Sequence, residues 1–357
     1  MSGFAGQNTE RDHGIKDARS ASSFAAIDLG TNNCRLLVGT PRGSGFRVVD
    51  SFSRIVRLGE GLHRHGRLSQ NAMERALGAL HAIAARLARR PVQGLRAVAT
   101  EACRQAANGP EFLLRAREET GLRFDLISTR EEAELALESC APLLMQGGRR
   151  ALLFDIGGGS TELAWVRLGG DMPELIGYDS LPVGVVSLAE RFGEAGFTVD
   201  GFQAMVDDVK VRLRAFESIH CIAHETRLGG VRLLGTSGTV TTLAGVALNL
   251  VRYRRPLVDG HVLSAEAADG ALAVLRALGR DGLGAHPCVG PERVEFVLPG
   301  CAVFEAIRQT WPMAEIIVAD RGLREGMLLR MMRQARLRRR APIRAPYPTD
   351  RRHARFA

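Results

Sequence analysis

Two turns built from an acid and glycines carry most of the chemistry this sequence offers. They are Phe24-Ala-Ala-Ile-Asp28-Leu-Gly30-Thr31-Asn32-Asn33 and Leu153-Phe-Asp155-Ile-Gly157-Gly158-Gly159-Ser160-Thr161-Glu162. In each, an apolar strand runs into an Asp-x-Gly turn, and a second apolar strand follows, Cys34-Arg-Leu-Leu-Val38 or Leu163-Ala-Trp-Val166. Glycines let the backbone approach an oxyanion with successive N–H groups pointing at it. An aspartate at the same turn repels a bare phosphate, so a bridging metal ion is implied. The pattern occurs twice, about one domain's length apart, which implies two related lobes facing each other across a cleft.

Each motif also has a plainer explanation. Asp28 to Asn33 could be an ordinary polar hairpin turn. Three successive glycines at 157–159 are harder to explain that way, because they cost conformational entropy that a mere connection need not spend. Gly235-Thr236-Ser237-Gly238-Thr239, between a strand and a helix, is a third oxyanion candidate with N–H groups at a helix start, although Ser and Thr also serve as simple N-caps. Ser128 and Glu131 fit a capping box, which leaves Glu132 without a structural duty. An acid near a helix start and facing the cleft could orient and deprotonate water; otherwise it is a first-turn glutamate favoured by the helix dipole. Arg104, after the turn Thr100-Glu-Ala-Cys, could clamp a phosphate or be an ordinary surface arginine.

These groups need positioning elements, and periodicity supplies them. Strands are expected at Phe24–Leu29, Arg35–Thr40, Phe46–Phe52, Arg96–Ala99, Phe124–Ile127, Ala151–Asp155, Val231–Leu234 and Glu315–Val318. Helices are expected over 71–89, after Thr100, from Pro110, from Ser128 to about Cys140, over 199–216, after Gly235, around 264–278 and 300–310, and from Leu323. Alternating strands and helices with early hairpins indicate an α/β architecture with mixed sheets.

Composition narrows the class. With 357 residues the chain can hold two cores. Its 45% hydrophobic and 24% charged content is that of a soluble globular protein. No apolar run approaches the roughly 20 residues needed to span a bilayer, and residues 1–22 lack the apolar stretch of a signal peptide, so they read as a disordered leader. The six cysteines are scattered without a CxxC or a His/Cys cluster, which points to a reduced, cytoplasmic protein without structural zinc. The net charge of +9 is a tail property, since residues 330–357 carry ten arginines and one aspartate. That tail is either a solvated helix end or an electrostatic capture device for a polyanion. Without interleaved aromatics it is a weak nucleic-acid signal, and nucleic acid is not expected as a partner.

The ordered set of motifs resembles the exopolyphosphatase/guanosine pentaphosphate phosphohydrolase (Ppx/GppA) family, of the actin-like ATPase and sugar-kinase superfamily. It comprises Ile27-Asp-Leu-Gly-Thr-Asn, Thr100-Glu-Ala-Cys-Arg104, Ile127-Ser-Thr-Arg-Glu-Glu132-Ala133, the 155–162 turn, Leu181-Pro-Val-Gly184, the 235–239 turn and Asp320-Arg-Gly-Leu-Arg-Glu-Gly326. The resemblance spans roughly 24–332. It implies two ribonuclease-H-like domains with mixed sheets and the active site between them, at 23–131 plus about 311–333 and at 132–310, followed by a basic tail at 334–357. It further implies Glu132 as the base, with Asp155 and Glu162 also catalytic, and Asp28, Asp155 and Glu162 as metal-side acids for Mg²⁺ or Mn²⁺. Gly30, Thr31, Asn32, Gly157, Gly158, Gly159, Ser160 and Thr161 match the phosphate-cradling turns, and Arg104 the basic contact; Asn33, next in the first turn, is expected to bind phosphate with them. The first turn departs from the commoner pattern at Asn33-Cys34-Arg35, and the chain resembles the short, two-domain members.

The expected activity is therefore release of terminal phosphate from inorganic polyphosphate, conversion of guanosine pentaphosphate to tetraphosphate, or both. A homodimer is a family expectation. The competing readings are an ATP-dependent kinase of the same superfamily and a non-catalytic (p)ppGpp or polyphosphate sensor.

Overall fold

The structure, a computed structural model, describes residues 23–145, 147–170 and 172–340. The expected leader at 1–22 and the tail beyond 340 lie outside the described residues. Two mixed sheets form, one per lobe. The first holds β1 (Phe24–Leu29), β2 (Asn33–Arg42), β3 (Gly45–Ile55), β4 (Gly94–Ala99) and β5 (Phe124–Leu126), in the order β3-β2-β1-β4-β5. The second holds β6 (Arg150–Ile156), β7 (Thr161–Arg167), β8 (Glu174–Leu181), β9 (Val231–Thr236), β10 (Val262–Ser264) and β11 (Glu315–Ala319), in the order β10-β11-β9-β6-β7-β8.

The lobes repeat one plan. A hairpin leads to a third antiparallel strand, and parallel strands extend the sheet on the other side of β1 and of β6. Even the irregularities correspond: the register shifts between Val38 and Gly39 in one lobe and between Trp165 and Val166 in the other, each the same distance beyond its aspartate.

Each sheet buries an apolar layer under its own helices. In the first lobe Ile27, Leu36 and Leu58 pack with Leu77, Leu80 and Ile83 of the helix Gln70–Arg89 and with Phe112 of the helix Gly109–Thr120. In the second, Phe154 and Trp165 pack with Phe216 of the helix Val199–His220 and with Phe304 of the helix Val294–Thr310. Two helices lie between the sheets. Thr129–Leu144 gives Ala133, Leu137 and Cys140 to the second sheet and Leu135 to the first, where Leu135 meets Leu323, Met327 and Leu328 of the helix Leu323–Arg340. These helices couple the lobes, so the cleft is walled by elements that share a core.

Two expectations change. The segment 311–333 does not return as a unit to the first lobe: β11 pairs in parallel with β9 in the second sheet, and only the helix after it packs on the first. The basic stretch from Arg330 is in part employed structurally. Arg330 binds Glu138 at 2.5 Å and Arg333 binds the same carboxylate at 2.6 Å, fastening the closing helix to Thr129–Leu144. Residues 334–340, expected as tail, continue that helix.

Candidate active site

Both aspartates are the penultimate residues of their strands, at the sheet end where the glycine turns begin. Asp28 is the cross-strand partner of Arg35, and Asp155 of Glu162. The first turn closes through Gly30 N–H to Asn33 O at 2.9 Å, and the second through Gly157 N–H to Ser160 O, also 2.9 Å. The turns touch across the lobes. A Cβ on Gly158 would lie 3.1 Å from Asn32 N, Asn32 Cβ and Thr31 Cβ, and one on Gly159 3.1 Å from Thr31 Oγ1. Glycine is needed at 158 because another backbone passes close, not because of a special φ.

A cleft of about 680 Å³ opens at this junction. Asp28, Gly30, Thr31, Asn32 and Asn33 line it from one lobe; Asp155, Gly157, Gly158, Ser160 and Glu162 line it from the other. Ser237, Gly238 and Thr239 add the start of a helix whose N-cap, Ser237, accepts from Thr239 and Val240 N–H. Glu132 completes the acidic wall. The residues expected from the sequence thus make up about half of the lining.

Five expected phosphate contacts lie behind the lining. Gly159 packs on Thr31; Thr161 is buried and donates to Val183 O at 2.7 Å; Gly235 lies under the Phe154 ring; Thr236 donates to Arg321 O at 2.7 Å. Arg104 was expected to meet phosphate, but its guanidinium donates to Glu101 at 2.5 Å, Ile127 O at 2.8 Å and Glu132 at 3.2 Å. In this geometry it holds the glutamate. Glu131 likewise fills only half of its capping box: Ser128 Oγ accepts from Glu131 N–H, while the Glu131 carboxylate turns to Arg96 at 2.5 Å.

The structure adds residues that sequence reading passed over. Arg35, Arg54 and Arg293 line the cleft as cations. Arg293 also donates to Gly238 O at 2.7 Å and Thr242 Oγ1 at 2.9 Å, which braces the third turn. Arg35 had a local signal, since alternation along β2 puts it on the same face as Asn33. Arg293 had none, because its role depends on a fold-back across more than fifty residues.

Burial dominates the electrostatics. Desolvation raises Asp28, with Arg35 and Arg324 opposing. It pushes Asp155 up to about 6, and it pushes Glu162 up to about 7 with help from the nearby Asp155 charge. Glu132 rises well above the ordinary carboxylate range through burial and the neighbouring Glu162, while Arg104 pulls the other way. Burial lowers Arg293, and the like charge of Arg35 adds to this. A cleft crowded with acids that resist ionising is an energetic cost that a bound cation relieves.

The donor chemistry fits a hard cation, though not as a closed cage. Among the described residues no group of three or more His, Cys, Asp or Glu side chains stands ready to hold a metal. Glu162, expected as a ligand, accepts from Ser160 Oγ at 2.5 Å and from Ser180 Oγ at 3.0 Å, both through Oε1, which orients the carboxylate and leaves its Oε2 for a ligand. Asp28 and Asp155 share the lining with it, and in the same cleft Asn32 Oδ1 is buried without a hydrogen-bond partner. Mg²⁺ is commonly held by one or two carboxylates, with waters and substrate phosphates completing the shell, and this set suits that mode.

Comparison with known proteins agrees with the geometry. The Ppx/GppA phosphatase family pattern matches residues 38–335. A Haemophilus influenzae exopolyphosphatase candidate is 30% identical over 316 residues, 88% of this chain and 92% of that one. The guanosine-5'-triphosphate,3'-diphosphate pyrophosphatase of Photobacterium profundum is 31% identical over 325 residues, 88% of this chain; the chain spans 60% of that relative's length. The crystal structure of the Aquifex aeolicus Ppx/GppA family member superimposes with a TM-score of 0.73 at 26% identity, covering 88% of this chain and 98% of that one. With its two facing α/β sheets of the actin-like ATPase fold and its paired acid–glycine turns, the chain belongs to the Ppx/GppA phosphatase family.

Proposed function

We propose that the protein releases the terminal phosphate of inorganic polyphosphate, with Glu132 accepting a proton from the attacking water. The observation that carries this reading is the position of Glu132 in the wall of the cleft formed by both glycine turns, held by Arg104 at 3.2 Å. Its raised proton affinity makes it a stronger base than an ordinary carboxylate, and the Arg104 contact keeps its ionised form accessible. Backbone N–H groups of the two turns bind the oxygens of the terminal phosphoryl group, and Arg35 and Arg293 complement the phosphates beyond it. The water oxygen bonds to phosphorus as its proton passes to Glu132. The bridging P–O bond breaks and its electrons leave on the shortened chain.

Asp28, Asp155 and the Asn32 carbonyl would hold Mg²⁺ or Mn²⁺. When bound, the ion offsets charge on the transferred phosphoryl group. An inorganic chain asks for cations and N–H groups, and beside the acids the lining offers Arg35, Arg54, Arg293 and the glycine turns. A kinase of the same fold needs water kept away from the phosphoryl group, and a basic carboxylate in the wall works against that.

The test compares phosphate release from short polyphosphate, long polyphosphate and guanosine pentaphosphate, without ATP, for wild type and Glu132→Gln. The variant is expected to lose roughly 10²–10⁴ in kcat, the usual worth of a positioned general base. Wild-type turnover by Glu132→Gln rejects the base assignment. A higher kcat/KM for guanosine pentaphosphate rejects polyphosphate as the preferred substrate, and binding of all three without turnover favours a sensor.

A further inference from the structure

The two glycine turns are each held from behind. Val56 and Arg57 N–H both donate to Asn32 O, at 2.8 and 3.0 Å, and Gly59 N–H donates to Thr31 O at 2.9 Å. Gly59 has no room for a side chain, since its Cβ would run into Thr31 Cγ2. In the other lobe, Val185 and Val186 N–H, at the start of the helix Val185–Phe192, donate to Gly157 O at 3.0 Å and Gly158 O at 2.8 Å.

These two backing elements meet across the cleft. Gly61 N–H donates to Glu190 Oε1 at 2.8 Å, joining the 56–61 segment of the first lobe to the helix of the second. Beside this bond the Arg57 guanidinium lies 5.4 Å from the centroid of the Phe296 ring, again between lobes. Arg57 adopts φ 48°, a left-handed conformation that a non-glycine residue keeps only when its surroundings hold it there.

We infer that Glu190 is a positioning residue: by fastening the 56–61 segment to the helix Val185–Phe192, it sets the separation of the two phosphate turns. The inference rests on the reading of those turns as one phosphate cradle. On that reading a single anion is held by N–H groups of both turns, so it depends on their separation. The circuit runs from Thr31 and Asn32 through Gly59 and Gly61 to Glu190, then along the helix to Gly157 and Gly158. A carboxylate acceptor gives this bond the strength of a charge-assisted one. Without it the closed arrangement becomes a fraction of the population, and apparent affinity falls by that fraction.

The experiment uses the full chain in a Cys221→Ser background, with spin labels at Asn71→Cys and Val199→Cys, exposed positions in different lobes. The other five cysteines are buried. Glu190→Ala is expected to lengthen and broaden the interlobe distance without substrate, and saturating tripolyphosphate is expected to restore it. Its KM for polyphosphate should rise about tenfold, equivalent to roughly 1.4 kcal/mol of binding, with kcat little changed. Glu190→Gln keeps an acceptor oxygen without the charge and should fall between wild type and Glu190→Ala in both measurements. Arg57→Ala should shift the distance in the same direction, and it carries the test if Glu190→Ala fails to fold. An unchanged distance distribution in a folded Glu190→Ala protein overturns the inference, as does a fall in kcat at constant KM. If wild type releases no phosphate from any of the three substrates, the proposed function fails, whereas the distance measurement still decides the role of Glu190.

Discussion

Arg35 and Glu162 occupy equivalent register positions in the two halves of the molecule, Arg35 opposite Asp28 and Glu162 opposite Asp155. One structural repeat thus presents a cation where the other presents a carboxylate. Arg35 forms no ion pair within 4 Å among the described residues, yet its field is the largest influence favouring the charged forms of both Asp28 and Asp155. It acts as a fixed charge over the floor of the cleft.

Replacing Arg35 by Gln should let both aspartates keep their protons to higher pH. If activity requires them ionised, the acid limb of the pH–rate profile moves upward, and the salt dependence of KM weakens as one cation is lost. Profiles for wild type and variant at matched ionic strength check this. An unmoved acid limb would count against Arg35 as the charge partner of the aspartates.

Gly184 tests how rigidly the second turn is built. Its φ of −149° is open to any residue, so conformational freedom does not explain it. Space does: a Cβ would lie 2.6 Å from both Gly157 O and Gly158 O. Gly184→Ala must push the turn toward the cleft, at a stability cost of about 1–3 kcal/mol typical of overpacking. Activity should fall by more than that loss of stability explains, because the displaced carbonyls belong to the phosphate turn. Thermal melts run beside kcat/KM separate the two effects, and equal losses would sink the idea.

The crowded acids also predict how stability varies with pH. Asp155 at about 6 and Glu162 at about 7 bind protons more tightly in the folded chain than the roughly 4 of an unfolded carboxylate. Their contribution is therefore fully present below about pH 4 and is lost as pH rises through 6 to 7. In EDTA the melting temperature should fall between pH 5 and pH 8, and Asp155→Asn should flatten that fall. Mg²⁺ should raise the melting temperature at pH 8 and hardly at all at pH 5, since a cation favours the ionised acids. A Mg²⁺ effect equal at both pH values would argue that the ion binds elsewhere.

No helix among the described residues is long and apolar enough to cross a membrane. The features legible in the sequence are those that depend on near neighbours. A strand, an acid, glycines and a second strand make a turn wherever they occur, so Asp28 with Gly30 and Asp155 with Gly157 could be located by inspection. Helix starts were legible for the same reason, since Ser128 caps its own helix through Glu131 N–H three residues on. Even Gly184 stood out as part of a Leu-Pro-Val-Gly run, although its reason did not.

The rest depended on chain segments far apart in sequence. Arg104 looked like a phosphate ligand until the fold brought Ile127 O and Glu132 within its reach, and Glu131 looked like a capping partner until Arg96 and Arg330 came near it. Sheet membership of β11 was decided by its pairing with β9, which apolar periodicity cannot specify because any buried strand shows it. Sequence by itself determined the local devices: two acid–glycine turns, a third turn at a helix start, and a glutamate with no capping duty. Only the tertiary structure decided that these devices share one cleft, that Arg35, Arg293 and Glu190 join them, and that the acids resist ionising. The physical reason is that burial and charge coupling arise only once the two lobes close on each other.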